Sequence, residues 1–90
     1  MLAAMEDAST VRVSNLSEDT TENDLQDLFR YFGSVNRTYL ARDKITRNSK
    51  GFAFVSFANR DDAQRAIEQL NGYGYDNLIL HVEWARYAAG

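Results

Sequence analysis

The 90-residue sequence contains no cysteine and only one histidine. The absence of cysteine excludes disulfides, thiol catalysis and cysteine-based zinc sites, and His81 alone leaves little for a transition metal. No apolar run approaches the roughly 20 residues that a membrane-spanning helix needs. The first residues also lack the basic flank and the length of a signal peptide. We therefore expect a soluble cytoplasmic protein with no membrane contact, no metal and no other cofactor.

Signatures of catalysis are missing as well. The chain has no glycine loop that could hold a phosphate, and no serine nucleophile is paired with a plausible base. Asp61 and Asp62 are adjacent at a predicted helix start, where carboxylates interact favourably with the helix dipole. These observations predict a protein that is not an enzyme.

The composition is that of an ordinary globular domain, with 44% hydrophobic and 26% charged residues. A chain of this length buries roughly two-thirds of its unfolded surface, which is enough for a two-layer fold. Residues 1–8 have no hydrophobic period, so we expect a flexible leader there. The predicted domain covers 9–87 and is expected to be monomeric, and 88–90 form a short tail.

Hydrophobic periodicity predicts four strands and two helices in the order β-α-β-β-α-β. The strands show alternation of period two, and the helices show the i, i+3, i+4, i+7 spacing. The predicted strands are 10–16, 35–42, 50–57 and 78–85, and the predicted helices are 22–32 and 60–71. This order is typical of a ferredoxin-like α+β sandwich, a four-stranded antiparallel sheet with two helices on one face. The other face of the sheet stays open to solvent.

The third predicted strand, 50–57, carries large apolar side chains on both faces. Lys50, Phe52, Phe54 and Ser56 share one face, whereas Ala53, Val55 and Phe57 share the other. Only one set is needed for the core, so the second pair of aromatic rings is an exposed platform of the kind that stacks nucleobases. The alternative is that Phe52 and Phe54 fill the core or lie under a C-terminal helix, which is hard to reconcile with Val55 and Phe57. The fold would place the first strand beside this platform.

The net charge of −3 and the pI near 5.0 argue against a strongly basic nucleic-acid binder. The predicted fold nevertheless gathers seven basic side chains and only two acidic ones on the open face, its loop or its edge. These are Arg12, Arg37, Arg42, Lys44, Arg47, Lys50 and Arg86 against Asp43 and Glu83. The rest of the chain carries eight more negative than positive charges. The electrostatic field of the predicted fold therefore steers phosphates toward the sheet. The acidic side chains around the first helix either solvate it or form a docking surface for a basic protein.

Two segments resemble the paired motifs of the RNA recognition motif family. Residues 50–57 fit the pattern K/R-G-F/Y-G/A-F-V-x-F/Y at every defined position, and residues 11–16 resemble the companion hexamer. Arg12 stands where an aromatic residue is usual, and Arg47 replaces a glycine common in its loop. The resemblance covers about residues 10–86. It implies single-stranded RNA binding on the sheet face.

The resemblance also implies roles for individual side chains. Phe54 would stack under one base, Phe52 would pack against sugars or a second base, and Lys50 would contact a phosphate. A guanidinium can lie flat against a base, so Arg12 could contribute too. The predicted RNA-binding residues are Arg12, Ser14, Asn15, Arg37, Tyr39, Lys50, Phe52, Phe54, His81, Glu83 and Arg86. For Tyr39, extension of the stacking surface and simple shielding of an edge strand are both open.

Residues 12–20, 39–44 and 74–85 resemble one branch of this family, the C-terminal domains of a eukaryotic translation initiation factor subunit. That resemblance implies a role on the small ribosomal subunit, in contact with ribosomal or messenger RNA. Other initiation factor subunits would be bound through regions outside this chain. The alternative is a protein-interaction module that uses the same fold and docks through the acidic surface of the first helix.

Overall fold

In a computed structural model, which describes residues 9–85, the chain forms six strands and two α-helices. The strands are β1 (Thr10–Ser14), β2 (Val35–Arg42), β3 (Ser49–Phe57), β4 (Gly74–Tyr75), β5 (Leu78–Ile79) and β6 (His81–Trp84). The helices are α1 (Glu22–Phe29) and α2 (Arg60–Leu70), and a 3₁₀ turn, Arg30–Phe32, extends α1. The predicted leader 1–8, the tail 88–90 and Arg86 lie outside the described residues. The predicted extent of the domain, 9–87, stays a prediction.

The main sheet is antiparallel and has the strand order β2-β3-β1-β6. The first and third strands of the predicted order are therefore the two central ones. Both helices pack on one face, which confirms the predicted ferredoxin-like α+β sandwich. No helix within residues 9–85 is long and apolar enough to cross a membrane.

The core lies between the sheet and the helices. It consists of alternate strand residues and the inward stripes of both helices: Val11, Val13, Leu16, Leu25, Phe29, Leu40, Ala53, Val55, Phe57, Ala63, Ala66, Leu70, Leu80 and Val82. Ala63 and Ala66 are fully buried, and their small side chains let α2 approach the sheet closely. Trp84 packs at the margin of the core, with the guanidinium of Arg60 4.1 Å from the centre of its ring.

The helix termini follow the sequence closely. The Thr21 hydroxyl accepts a hydrogen bond from the Asp24 backbone N–H, and the Asp24 carboxylate accepts one from Thr21 N–H, forming a capping box. Helix α2 begins directly after Asn59, as predicted. The Asn59 side chain donates to the Asp62 carboxylate at 3.5 Å and makes no capping bond to the backbone of residues 9–85.

The predicted last strand, 78–85, is wrong in its bounds. Asp76 and Asn77 both have positive φ, and the chain reverses there so that β5 pairs with β4 in a separate hairpin. The Leu80 backbone bonds to Gly72 and Tyr73, and pairing with β1 starts only at His81. The alternation continues through Leu78, Leu80 and Val82, so the periodicity alone did not reveal the break.

Strand β2 departs from its predicted alternation at Ala41. Continued alternation from Tyr39 predicts Ala41 on the open face, but the Ala41 side chain is buried, as is that of Leu40. The pairing register with β3 shifts between Leu40 and Arg42. A local irregularity of this kind changes the face that the following side chain occupies.

Candidate nucleic-acid interface

Cross-strand pairing arranges the open face of the sheet in two rows. Tyr39, Phe54, Arg12 and Glu83 occupy facing positions on β2, β3, β1 and β6 and form the first row. Phe52, Ser14 and His81 form the second row on β3, β1 and β6. Directly opposed side chains in a sheet lie about 5 Å apart, so each row is a continuous surface.

The aromatic residues of these rows lie outside the core. Among residues 9–85, Phe52 and Phe54 belong neither to the buried cluster nor to the side chains packed against it. Both are half-buried, and Tyr39 is 57% exposed. The core reading of Phe52 and Phe54 is therefore excluded, and three rings line the open side of the sheet.

The three rings are held in two geometries. Tyr39 and Phe54 are nearly parallel, with an interplanar angle of 25° and centroids 6.4 Å apart. Phe52 and Phe54 meet edge to face at 90°, with centroids 6.0 Å apart. Both arrangements are favourable for aromatic pairs.

Arg12 covers part of this aromatic surface. Its guanidinium carbon lies 4.7 Å from the centre of the Phe52 ring, within the range of a cation–π contact. The same guanidinium lies 3.6 Å from a carboxylate oxygen of Glu83. Arg12 therefore shields one face of Phe52, and Tyr39 is the most exposed of the three rings.

The backbone conformation directly before Phe52 requires a glycine at position 51. Gly51 has a φ of +83°, and a Cβ there would lie 3.3 Å from the Leu16 carbonyl oxygen. The Leu16 N–H donates to the Gly51 carbonyl at 2.9 Å, which fixes the end of β1 against β3. This bend sets the start of β3, where the exposed Lys50 lies.

The β6 side of the open face carries His81 and Glu83, and Asn15 lies nearby at the end of β1. The His81 Nε2 lies 3.5 Å from a Glu83 oxygen, so Glu83 lies between His81 and Arg12. Asn15, with a φ of 66°, donates its side-chain amide to the Ile79 carbonyl at 2.8 Å. Asn15 thus has a structural role that joins β1 to β5.

The β2–β3 loop, residues 43–48, is ordered by Asp43. Its carboxylate accepts hydrogen bonds from the backbone N–H groups of Ile45 and Thr46, at 2.8 and 3.0 Å. The N–H groups of Thr46 and Ile45, with a smaller contribution from Lys50, hold the pKa of Asp43 below its usual value. Arg47 closes the loop in the left-handed region, with a φ of 68°.

Arg42, one of the basic residues predicted for the open face, pairs with helix α1 instead. Arg42 forms an ion pair of 3.2 Å with Glu22 at the start of α1 and donates to the Arg47 carbonyl. Its charge is largely balanced at the edge of the sheet, whereas Arg37 and Lys50 are exposed on or beside the rows. The basic surface is therefore narrower than a count of side chains indicates.

The structure brings together most of the predicted site. Arg12, Ser14, Tyr39, Phe52, Phe54, His81 and Glu83 share the two rows, Arg37 lies further along β2, and Lys50 and Asn15 lie at strand ends. Their contact with RNA stays a prediction. The cation–π contact of Arg12 was not foreseen because it is a diagonal contact to Phe52 rather than to the directly opposed Phe54; strand register could have indicated it. Within residues 9–85, no group of three or more His, Cys, Asp or Glu side chains is arranged to hold a metal ion.

Comparisons with known proteins agree with this geometry. The sequence model of the RNA recognition motif family matches residues 11–81. The chain is 64% identical over 81 residues to the G subunit of eukaryotic translation initiation factor 3 from Homo sapiens, covering 90% of this chain and 25% of that protein. The same identity and coverage of this chain hold for the G-B subunit from Xenopus laevis, of which 26% is covered. The chain thus spans about a quarter of the length of the curated relatives it matches.

Solved structures show the same fold. RNA recognition domains 1 and 2 of Sex-lethal from Drosophila melanogaster align with a TM-score of 0.83 at 40% identity, covering 88% of this chain and 50% of that one. A Sex-lethal protein in complex with RNA aligns with a TM-score of 0.86 at 40% identity, covering 90% of this chain and 48% of that one. Both resemblances stated from the sequence, to the motif and to the initiation factor subunit, are confirmed as similarities.

Proposed function

The chain belongs to the RNA recognition motif family, and on that premise we propose that its open sheet face binds a short stretch of single-stranded RNA. The observation that carries the proposal is the set of three rings, Tyr39, Phe54 and Phe52, that lie on this face outside the core. Aromatic rings are costly to expose in a small domain unless a ligand covers them. Bases of single-stranded RNA are ligands that match flat exposed rings.

Stacking on Phe54 and Tyr39 is the main source of affinity in this mechanism. The two rings are nearly parallel and lie next to each other across β2 and β3, so successive bases can lie against them. Arg12 occupies one face of Phe52, so a base at that position would meet the guanidinium. Lys50 and Arg37 supply positive charge for the phosphates on either side of the rings.

We further propose that the domain acts within a translation initiation factor subunit. The support is the 64% identity to the G subunit of eukaryotic translation initiation factor 3 over most of this chain. In that role the sheet face would contact ribosomal or messenger RNA on the small ribosomal subunit in the cytoplasm. The other subunits would be reached through regions outside this chain. The domain would act by binding alone, without turnover of a substrate.

The first prediction tests the stacking surface. We expect Phe54→Ala to weaken binding of a fluorescent mixed-sequence RNA of about eight nucleotides by tenfold or more, since one stacked base contributes roughly 1 to 3 kcal/mol. Fluorescence anisotropy gives the Kd. The matched control is Tyr31→Ala, which removes an 86% exposed ring on the helical side and should leave the Kd unchanged. Equal affinity of Phe54→Ala and the unmodified protein would refute the proposed binding surface.

The initiation role needs a separate measurement in cells. Crosslinking of the full-length protein to RNA, followed by sequencing, should recover small-subunit ribosomal RNA or the leaders of messenger RNAs. Phe54→Ala in the full-length protein should lower that recovery. Recovery of unrelated RNA classes would contradict the initiation role and leave RNA binding by the domain intact.

A further inference from the structure

Glu83 is the acidic member of the two rows on the open face. It lies at the β6 end of the first row, directly opposite Arg12, and Arg12 is in turn opposite Phe54. Its side chain is 49% exposed. A carboxylate repels the phosphates of RNA and lowers the affinity of the face for any sequence, unless it also contacts a base. The position of Glu83 therefore indicates a contact with a base rather than with the RNA backbone.

Two side chains flank the carboxylate of Glu83, one at each oxygen. Arg12 Nη1 lies 3.6 Å from Oε2, and His81 Nε2 lies 3.5 Å from Oε1. Both separations exceed the roughly 2.7 to 3.2 Å of a well-formed N–H···O hydrogen bond, so each oxygen keeps acceptor capacity for a ligand. The carboxylate is thus held between Arg12 and His81 with two acceptor oxygens side by side.

Arg12 places a hydrogen-bond donor next to these two acceptors. Its guanidinium is held between the Phe52 ring, 4.7 Å away, and Glu83. A guanidinium carries five N–H donors, so contact with one carboxylate oxygen leaves others for a ligand. Along the first row, Arg12 and Glu83 therefore present one donor followed by two acceptors.

Guanine is the base whose Watson–Crick edge complements this order. That edge presents the O6 acceptor followed by two adjacent donors, N1–H and the N2 amino group. Uracil has a single donor, N3–H, between two acceptors. Adenine and cytosine each carry a ring acceptor next to the amino group, and a carboxylate oxygen repels that acceptor. Because hydrogen bonds to an ionised acceptor are stronger than neutral ones, the two donors of guanine distinguish it from the other bases.

We propose that Glu83 is a specificity-determining residue that selects guanine in the RNA bound by the sheet face. Neighbouring strands are about 4.8 Å apart, so a base stacked on Phe54 and extending along the first row crosses Arg12 and approaches Glu83. Its N1–H and N2 amino groups donate to the two carboxylate oxygens of Glu83, and Arg12 donates to O6. The inference rests on the RNA binding proposed above and adds the base that this surface prefers.

The test uses the whole chain and RNAs that differ in one base. The probes are fluorescent oligouridines in which one central position is guanosine, inosine, adenosine, cytidine or uridine, and fluorescence anisotropy gives each Kd. We expect the guanosine RNA to bind about tenfold tighter than the all-uridine RNA, the discrimination typical of a bidentate contact with a base. Inosine lacks the N2 amino group, so its RNA should bind about threefold weaker than the guanosine RNA.

Glu83→Gln separates base selection from a merely structural role. Glu83 is exposed, so the substitution leaves the fold intact. The glutamine amide places a donor against the N2 amino group of guanine, so the variant should lose the preference for guanosine over uridine and over inosine. If Glu83 only orients Arg12, the variant changes the Kd of every probe by the same factor. Glu68→Gln removes the same charge from an exposed position on α2 and should leave the preference unchanged.

The outcomes separate this inference from the proposed RNA binding. Equal Kd values for the guanosine and uridine RNAs, or tighter binding of the adenosine or cytidine RNA, would overturn guanine selection. So would an unchanged ratio of guanosine to uridine affinity in Glu83→Gln. In each of these cases, weaker binding of all probes by Phe54→Ala would leave RNA binding by the sheet face intact. If no probe binds the unmodified protein, both proposals are refuted.

Discussion

Arg12 distinguishes this interface from the pattern usual in its family. It stands at the position of an aromatic ring, lies over Phe52 and contacts Glu83, so a charged group takes the place of a stacking surface. A guanidinium contributes an electrostatic attraction that salt weakens, whereas stacking is much less sensitive to salt. The identity of residue 12 therefore sets the balance between affinity and salt dependence.

Replacement of Arg12 by tyrosine tests this balance. We expect Arg12→Tyr to tighten RNA binding about tenfold at about 0.15 M salt, because it adds a ring beside Phe54. The slope of log Kd against log salt should fall by about 0.7, the contribution of one charge on a single strand. Anisotropy titrations over a salt series measure both quantities, with Arg30→Tyr on the helical side as control. Weaker binding of Arg12→Tyr would mean that the charge contributes more than stacking.

At the level of elements, left-handed residues fix the loops that flank the face. Arg47 closes the β2–β3 loop at a φ of 68°, and Asn15 ends β1 at a φ of 66°. A residue other than glycine in the left-handed region lowers the stability of the fold by about 1 kcal/mol, unless its side chain makes a compensating hydrogen bond. Asn15 makes such a bond to Ile79, and the loop at Arg47 is held by Asp43.

We predict that Arg47→Gly raises the free energy of unfolding by about 0.5 to 1 kcal/mol, because glycine removes the left-handed penalty. The hydrogen bond from Arg42 goes to the backbone carbonyl of residue 47, so it survives the substitution. Urea denaturation gives the value. Lys44→Gly in the same loop is the control and should lower stability, since φ at Lys44 is not positive. A loss of stability for Arg47→Gly would show that its side chain is needed.

Two substitutions of Asn15 separate the contribution of its side-chain hydrogen bond from that of its backbone conformation. Asn15→Ala should lower the free energy of unfolding by about 2 kcal/mol, through loss of one hydrogen bond and strain at positive φ. Asn15→Gly loses only the hydrogen bond and should cost about 1 kcal/mol. Urea denaturation of both variants measures the difference. Equal losses for the two variants would exclude a contribution from backbone conformation.

At the level of the whole molecule, the two charged faces are separated by a thin core. The shortest dimension of the domain is 19 Å. The Debye length is about 8 Å at 0.15 M salt and about 30 Å at 0.01 M. The acidic helical side should therefore be screened from RNA on the sheet at physiological salt and should oppose its approach at low salt.

Reversing two charges on α2 tests this screening. Asp61→Lys combined with Glu68→Lys changes the net charge from −3 to +1 on exposed positions away from the sheet. We expect the association rate with RNA to rise about threefold at about 0.01 M salt and to stay nearly constant at about 0.15 M. Stopped-flow fluorescence measures the rate. Lys50→Glu, on the open face, should slow association at both salt concentrations, and a large effect of the α2 variant at high salt would contradict the expectation.

The sequence predicted the structure best where hydrophobic periodicity alone determines which face of a strand or helix a side chain occupies. The alternation in 50–57 and the order of elements were enough to place Phe54 beside Arg12 in the central strands. It failed where backbone conformation interrupts a period, as at Asp76 and Asn77, whose positive φ turns the chain so that β5 pairs with β4 and not with β1. It also failed for Arg12 and Arg42, because long side chains reach partners that alternation does not specify: the Phe52 ring and the Glu22 carboxylate.

The β2–β3 loop presents Ile45, whose side chain is 90% exposed while its N–H is bonded to Asp43. Ile45 contributes to the loop through its backbone N–H, and its exposed side chain can therefore be replaced without loss of that hydrogen bond. Since the chain has no cysteine, Ile45→Cys would create a single thiol for a fluorophore on the loop that joins β2, the strand of Tyr39, to β3, the strand of Phe52 and Phe54. The domain can thus be converted into an optical reporter of its own ligand without altering Tyr39, Phe52 or Phe54.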